Sequence, residues 1–233
     1  MNTISDNLMG RKELEFYGRI TASISHELNN ILSIINEYSG LLDDLVLAVE
    51  KGKSLDENKI QKIAQNISEQ IKRQRDIIKL LNKFAHRADT PITKFNLNEL
   101  VNDITRLTQR FASLKKVNLV SSLPNEDITL TNNPFALQQI IFLCFDMALE
   151  SSNPNDNISI HFQNAESNVI IEIISPPVTQ ETMTSDKFDF LTNLSKNINS
   201  ELIISKTNDN LQLFKICVPF SISQKNAVRC EED

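Results

Sequence analysis

Beyond Gly52 this chain of 233 residues contains no glycine, and before Pro91 it contains no proline. The first absence removes, over the whole C-terminal part, the residue that most readily supplies positive φ and close backbone approach to a phosphate. An ordinary glycine frequency of about 7% would have placed roughly a dozen there. The second absence leaves residues 1–90 without a helix breaker, so they read as long helices ending near Pro91. Cysteine is sparse: Cys144, Cys217 and Cys230 are odd in number and lack metal-ligand spacing. That argues against a disulfide framework or a zinc site and suits a reducing cytoplasm. No apolar run approaches the roughly 20 residues that span a bilayer, the longest being Ile140 to Phe145, so membrane insertion is not expected. The opening MNTISDNLMGRKELEF lacks a basic segment followed by an apolar one, so it does not read as a signal peptide, and a cytoplasmic location is expected. Between Val117 and Asp186 there is no Lys or Arg, and residues 91–233 carry 11 basic against 17 acidic side chains. Nucleic-acid binding needs clustered cations and is excluded for that part.

What is present divides into two patterns. Leu28, Ile31, Ile35, Tyr38, Leu42, Leu45 and Val49 recur at alternating spacings of three and four, the seam of a helical bundle. Gly52 closes that helix, and Ser54-Leu55-Asp56-Glu57 reads as a capping box opening a second. Ile60, Ile63, Ile67, Ile71, Ile78 and Leu81 give the second helix its stripe, interrupted at Gln74. Residues 1–90 are therefore expected to form a helical hairpin. One hairpin cannot bury both stripes, so a second copy pairing with it as a four-helix bundle, a homodimer, is the expected solution. Residues 91–223 alternate differently. Helices are expected at Asn96–Lys115, Pro134–Ser151 and Phe188–Ile198. Strands are expected at 116–121, 127–131, 158–162, 169–174, 201–205 and 211–218. The fold class is α+β, the second part an α/β sandwich with helices on one face of a mixed sheet. Residues 224–233 are polar and read as a disordered tail.

Within the first helix, Leu28 at heptad position a places His26 at f and Asn30 at c. Both then face away from the seam, one turn apart, with Glu27 beside them. An outward imidazole next to a carboxylate can be held in one tautomer and made more nucleophilic, and the nearby amide can orient an oxygen or a water. His86, at a helix end, and His161, in a strand, lack that setting and read as ordinary surface and sheet residues.

The segment Gly-Arg-Ile-Thr-Ala-Ser-Ile-Ser-His-Glu-Leu-Asn-Asn, residues 18–30, closely resembles the phosphoacceptor box of two-component sensor histidine kinases, in their dimerisation and histidine-phosphotransfer domain. The resemblance spans about residues 8–90. It implies His26 as the phosphorylated residue, Glu27 as its acid/base partner and Asn30 as the group that positions water for dephosphorylation of a response regulator. Ile31 stands where the family often has proline. Response-regulator receiver domains are the implied partners, and the heptad phase offers Ser33, Asn36 and Glu37 as docking positions beyond the histidine.

Residues 91–233 resemble the ATP-binding domain that follows this hairpin, opening with Phe95-Asn-Leu-Asn-Glu-Leu-Val, but in a reduced form. The family's two magnesium-site asparagines fall on Leu143 and Met147, neither of which offers an oxygen to a hard cation. Asp146 lies one residue off. The adenine-reading aspartate and its glycines are replaced by Ser175-Pro176-Pro177, and too few residues remain before the next helix for a nucleotide lid. No cation is expected nearby to hold a triphosphate. The expectation is a histidine phosphotransferase on a degenerate kinase frame, without ATP or another cofactor of its own, the receiver supplying magnesium. A response-regulator phosphatase using Asn30 and Glu27, or a non-catalytic scaffold pairing with an active kinase, are the alternatives.

Overall fold

The computed structural model describes residues 3–179, 182–183 and 185–222, apart from the side chains of 3–9 and 185. The tail expected at 224–233 lies outside the described residues. The chain divides into two compact units, Arg19–Lys83 and a second made of Met1–Gly18 with Phe84–Asp233.

Two helices supply the first unit. Helix α1 runs Thr3–Glu50 and α2 runs Glu57–His86. Between them Gly52 adopts φ +84°, the left-handed conformation open to glycine, and its N–H donates to the Val49 carbonyl at 2.9 Å. The cap of α2 differs from the expected box. Asp56, not Ser54, accepts from a backbone N–H, that of Lys59 at 3.1 Å, and the helix begins one residue later. On α1, Ile31 is fully buried and Leu28, Ile35, Tyr38, Leu42 and Leu45 are half-buried, as the seam requires, whereas Val49 near the helix end is 40% exposed. On α2 the seam drifts. Ile63, Ile77 and Leu80 are buried, while Ile71 and Ile78, read as core from their chemistry, are 45% and 41% exposed.

The second unit is the α/β sandwich. A short strand β1 (Thr93–Asn96) leads into α3 (Leu97–Lys115), whose N-cap Asn96 accepts from the Glu99 N–H at 3.0 Å. Then come β2 (Asn118–Ser122), β3 (Thr129–Asn132), α4 (Pro134–Ser151), β4 (Asn157–Asn164), β5 (Asn168–Ser175), α5 (Ser185–Asn197), β6 (Glu201–Lys206) and β7 (Gln212–Pro219). Five strands form one mixed sheet in the order β2-β4-β5-β7-β6, parallel only between β2 and β4. Antiparallel β1 and β3 form a separate pair. Sequence reading missed β1, because four residues with one apolar side chain carry too little alternation to register.

Strict alternation on β4, β5 and β7 buries Ile158, Ile160, Phe162, Val169, Ile171, Ile173, Phe214, Ile216 and Val218 on one face of the sheet. That is the face the helices cover. Helix α4 is the hub. It packs against α3, α5, β4 and β5, and fourteen of its eighteen residues are buried, so it is apolar almost all round.

The start of α1 and the end of α2 belong to this unit through an aromatic cluster. The Phe16 ring lies 5.4 Å from Phe84, 6.0 Å from Phe135 and 5.0 Å from Phe142, and Tyr17 stacks 5.2 Å from Phe84. Beside it, Arg87 follows directly on α2 and reaches Asp103 of α3 at 2.5 Å and Gln138 of α4 at 3.3 Å. The Arg87 and Asp103 side chains are only 13% and 4% exposed. Removing one partner leaves the other charged in a poorly hydrated place. Arg87→Ala is therefore expected to lower unfolding free energy by about 3 kcal/mol in urea denaturation. An unchanged transition midpoint would show that the pair does not anchor the segment after α2.

Candidate functional site

His26 sits on α1 among exposed neighbours. Ser25, Asn29 and Asn30 are exposed, and the imidazole has no hydrogen-bond partner among the described residues. Ordinary helical geometry puts His26, Asn30, Ser33 and Glu37 on one outward stripe, at i, i+4, i+7 and i+11. Asn36 is exposed too but turned off that stripe toward one side. The Ser33 hydroxyl is occupied, donating to the Asn29 carbonyl at 2.9 Å, so its own helix competes for it.

Glu27 is placed differently from its neighbour. At heptad position g it flanks the seam, and its Oε1 accepts from Arg73 Nη2 of α2 at 2.9 Å. The carboxylate is thus held by a guanidinium 46 residues away, not by the adjacent imidazole. The two side chains are 32% and 56% exposed, so this pair contributes no more than about 0.2–1 kcal/mol to stability. Arg73 was not singled out in the sequence. Only the antiparallel pairing of α1 with α2 brings it here, and the one signal was its position at the seam's edge, where interhelical ion pairs form. The same register lets Tyr38, Leu41, Asp44 and Leu45 of α1 and Lys59, Lys62, Ile63 and Asn66 of α2 line a cavity of about 440 Å³ nearer the turn.

The edge of the hairpin away from Glu27 and Arg73 is apolar and partly uncovered. Helical phasing places Leu32, Ile71 and Ile78 there, at 49%, 45% and 41% exposure.

In the α/β unit the positions that the resemblance assigns to nucleotide binding are occupied by other chemistry. Met147 is buried and Leu143 half-buried on α4. Asp146, 7% exposed, faces the Lys187 ammonium of α5 at 3.8 Å, and the same ammonium lies 2.7 Å from both oxygens of Glu150. The expectation of no cation here is therefore corrected: Lys187 is present, but its charge is directed at these two carboxylates. Ser175 ends β5 fully buried, its hydroxyl donating to the Pro176 carbonyl at 2.9 Å. The following loop is fastened to the end of α4. Thr179 N–H donates to Ser151 Oγ at 3.2 Å, and Thr182 Oγ1 lies 3.2 Å from Ser151 Oγ and 3.0 Å from Thr179 Oγ1. Helix α5 starts at Ser185, earlier than expected, so the connection is shorter still.

The remaining histidines have carboxylate partners: His86 with Asp89 at 2.7 Å and His161 with Glu172 of the neighbouring strand at 2.9 Å. Burial pushes the Cys144 thiol far up, and burial is also the leading cause of a raised Cys217, so neither is an activated nucleophile. Among the described residues no group of three or more His, Cys, Asp or Glu side chains could hold a metal, and no helix is long and apolar enough to cross a membrane.

No protein-family profile matches the sequence. Solved structures do match. The nucleotide-free catalytic domain of the histidine kinase ThkA is covered over 100% of its length by 57% of this chain, with a TM-score of 0.51 at 16% identity. The fold is that of a histidine-kinase catalytic domain. Full-length ShkA in complex with AMPPNP matches over 84% of this chain and 46% of its own length, with a TM-score of 0.50 at 11% identity. The histidine kinase AdeS of Acinetobacter baumannii matches more weakly, over 84% of this chain and 98% of its own, with a TM-score of 0.47 at 13% identity.

Proposed function

We propose that this protein is a histidine phosphotransferase of a two-component phosphorelay, built on a histidine-kinase frame that no longer uses ATP. The observation that carries the reading is the contrast between its two units. His26 stands outward and without a hydrogen-bond partner among the described residues on a helical hairpin, while in the α/β unit the positions that the resemblance assigns to magnesium and adenine carry Leu143, Met147 and Ser175. In the transfer step one His26 ring nitrogen attacks the phosphorus of an aspartyl phosphate on a receiver domain. The N–P bond forms as the P–O bond breaks, and the electron pair leaves with the receiver's aspartate as its carboxylate. Glu27 balances the proton on the other ring nitrogen. The receiver contributes magnesium; the hairpin contributes a placed nucleophile. Asn30, one turn along, orients water when the flow runs to hydrolysis, which keeps a phosphatase role open. Receiver docking covers the stripe through Ser33 and Glu37, with Asn36 at its side.

The hairpin acts as a homodimer. Leu32, Ile71 and Ile78 form an apolar edge that a single hairpin leaves wet, and a second copy covers it as a four-helix bundle. Light scattering is expected to give about twice the 26.5 kDa chain mass, and a monomer at low micromolar concentration would refute the bundle.

Isothermal calorimetry with ATP and magnesium is expected to show no binding heat, because no oxygen donor stands at Leu143 or Met147 and Asp146 already faces an ammonium. A micromolar dissociation constant would return the protein to the ATP-using kinases.

For the histidine, radiolabel is followed from a phosphorylated receiver onto the protein. His26→Ala is expected to accept none, and Asn30→Ala to accept normally but lose label to water more slowly. Labelling of His26→Ala would move the phosphoacceptor elsewhere and end the phosphotransfer reading as written.

A further inference from the structure

We infer that Arg73 is a positioning residue for phosphoryl transfer, acting on His26 through Glu27; the inference rests on the phosphotransferase reading above. Three observations lead to it. Glu27 immediately follows the phosphoacceptor, yet its oxygen is held at 2.9 Å by Arg73 of the opposite helix while the imidazole has no partner among the described residues. Both members of the ion pair are substantially exposed, at 32% and 56%, so solvent screening leaves the pair little to contribute to stability. Its effect is then on where the carboxylate is held. Finally, the pair closes the edge of the hairpin adjoining the His26 stripe, opposite the apolar edge of Leu32, Ile71 and Ile78.

A guanidinium keeps its charge at any working pH and presents a rigid planar fork, so it fixes a carboxylate's direction better than a flexible ammonium does. A Glu side chain left alone on a helix surface samples several rotamers. With one oxygen pinned by Arg73, the carboxylate keeps one direction and retains a second oxygen to take the imidazole proton as the N–P bond forms. Arg73 itself exchanges no proton and forms no bond to phosphorus.

The measurement is single-turnover transfer of label from a phosphorylated receiver to the full-length protein, across a range of receiver concentrations. Arg73→Ala is expected to reduce the maximal transfer rate about tenfold, a modest share of what a placed acid/base group supplies. The receiver concentration at half-maximum should be unchanged, and Arg73→Lys should recover part of the rate. In a Glu27→Gln background, Arg73→Ala should cause no further loss, because its target is already gone. A normal rate in Arg73→Ala overturns the inference. So does a loss confined to half-saturation, which would make Arg73 a docking residue, or a loss that persists undiminished without Glu27. Failure of the parent protein to take label is a different result: it removes the phosphotransferase reading itself, and the inference with it.

Discussion

Helix α4 is enclosed on nearly every side, and the rest of the α/β unit is arranged around that fact. Its apolar residues face α3, α5 and the sheet, and Phe142 meets the aromatic cluster that gathers Phe16, Phe84 and Phe135. A helix so enclosed is a strong organiser of packing and a poor place for a polar ligand. Every oxygen donor presented from it must be desolvated, and each costs stability unless it is paired. The few polar groups it keeps near its C-terminal half are paired: Asp146 and Glu150 meet Lys187, and Ser151 meets the Thr179–Thr182 loop. Leu143 and Met147 on the same helix offer no oxygen and add apolar contact instead, Met147 buried and Leu143 half-buried.

The hairpin obeys a different constraint. Its seam is narrow, and the two edges flanking it have opposite characters. One carries the Glu27–Arg73 ion pair next to the His26 stripe; the other carries half-exposed Leu32, Ile71 and Ile78. An edge with a charge pair resists non-specific hydrophobic contact, while an apolar edge invites burial.

How much of this was legible in the sequence depends on the range over which each interaction acts. Pro134–Ser151 was readable to the residue as a helix, since Asn-Pro at its start and a continuous apolar run are local signals. The strands β4, β5 and β7 were readable within one or two residues because alternation is local too. The second helix was only half readable. Its isoleucines look alike in sequence, and only tertiary contact decides that Ile77 is buried and Ile78 is 41% exposed. Asp56 displaced Ser54 as the cap because the two compete for the same helix start and the choice rests on backbone geometry.

The charge partners were the least legible, and the reason is physical. Arg73 stands 46 residues from Glu27 and Lys187 stands 37 from Glu150, separations at which no periodicity or spacing rule operates. Each pair exists because a fold brings two elements together, and each supplies what a sequence motif alone cannot: a direction for a side chain. In the α/β unit that direction is inward, toward carboxylates on the enclosed helix α4. On the hairpin it is along the surface, toward the carboxylate beside His26. The same kind of contact is therefore buried in one unit and exposed in the other. The difference lies in burial: Asp146 is 7% exposed beside its ammonium, whereas Glu27, at 32%, keeps an oxygen within reach of solvent.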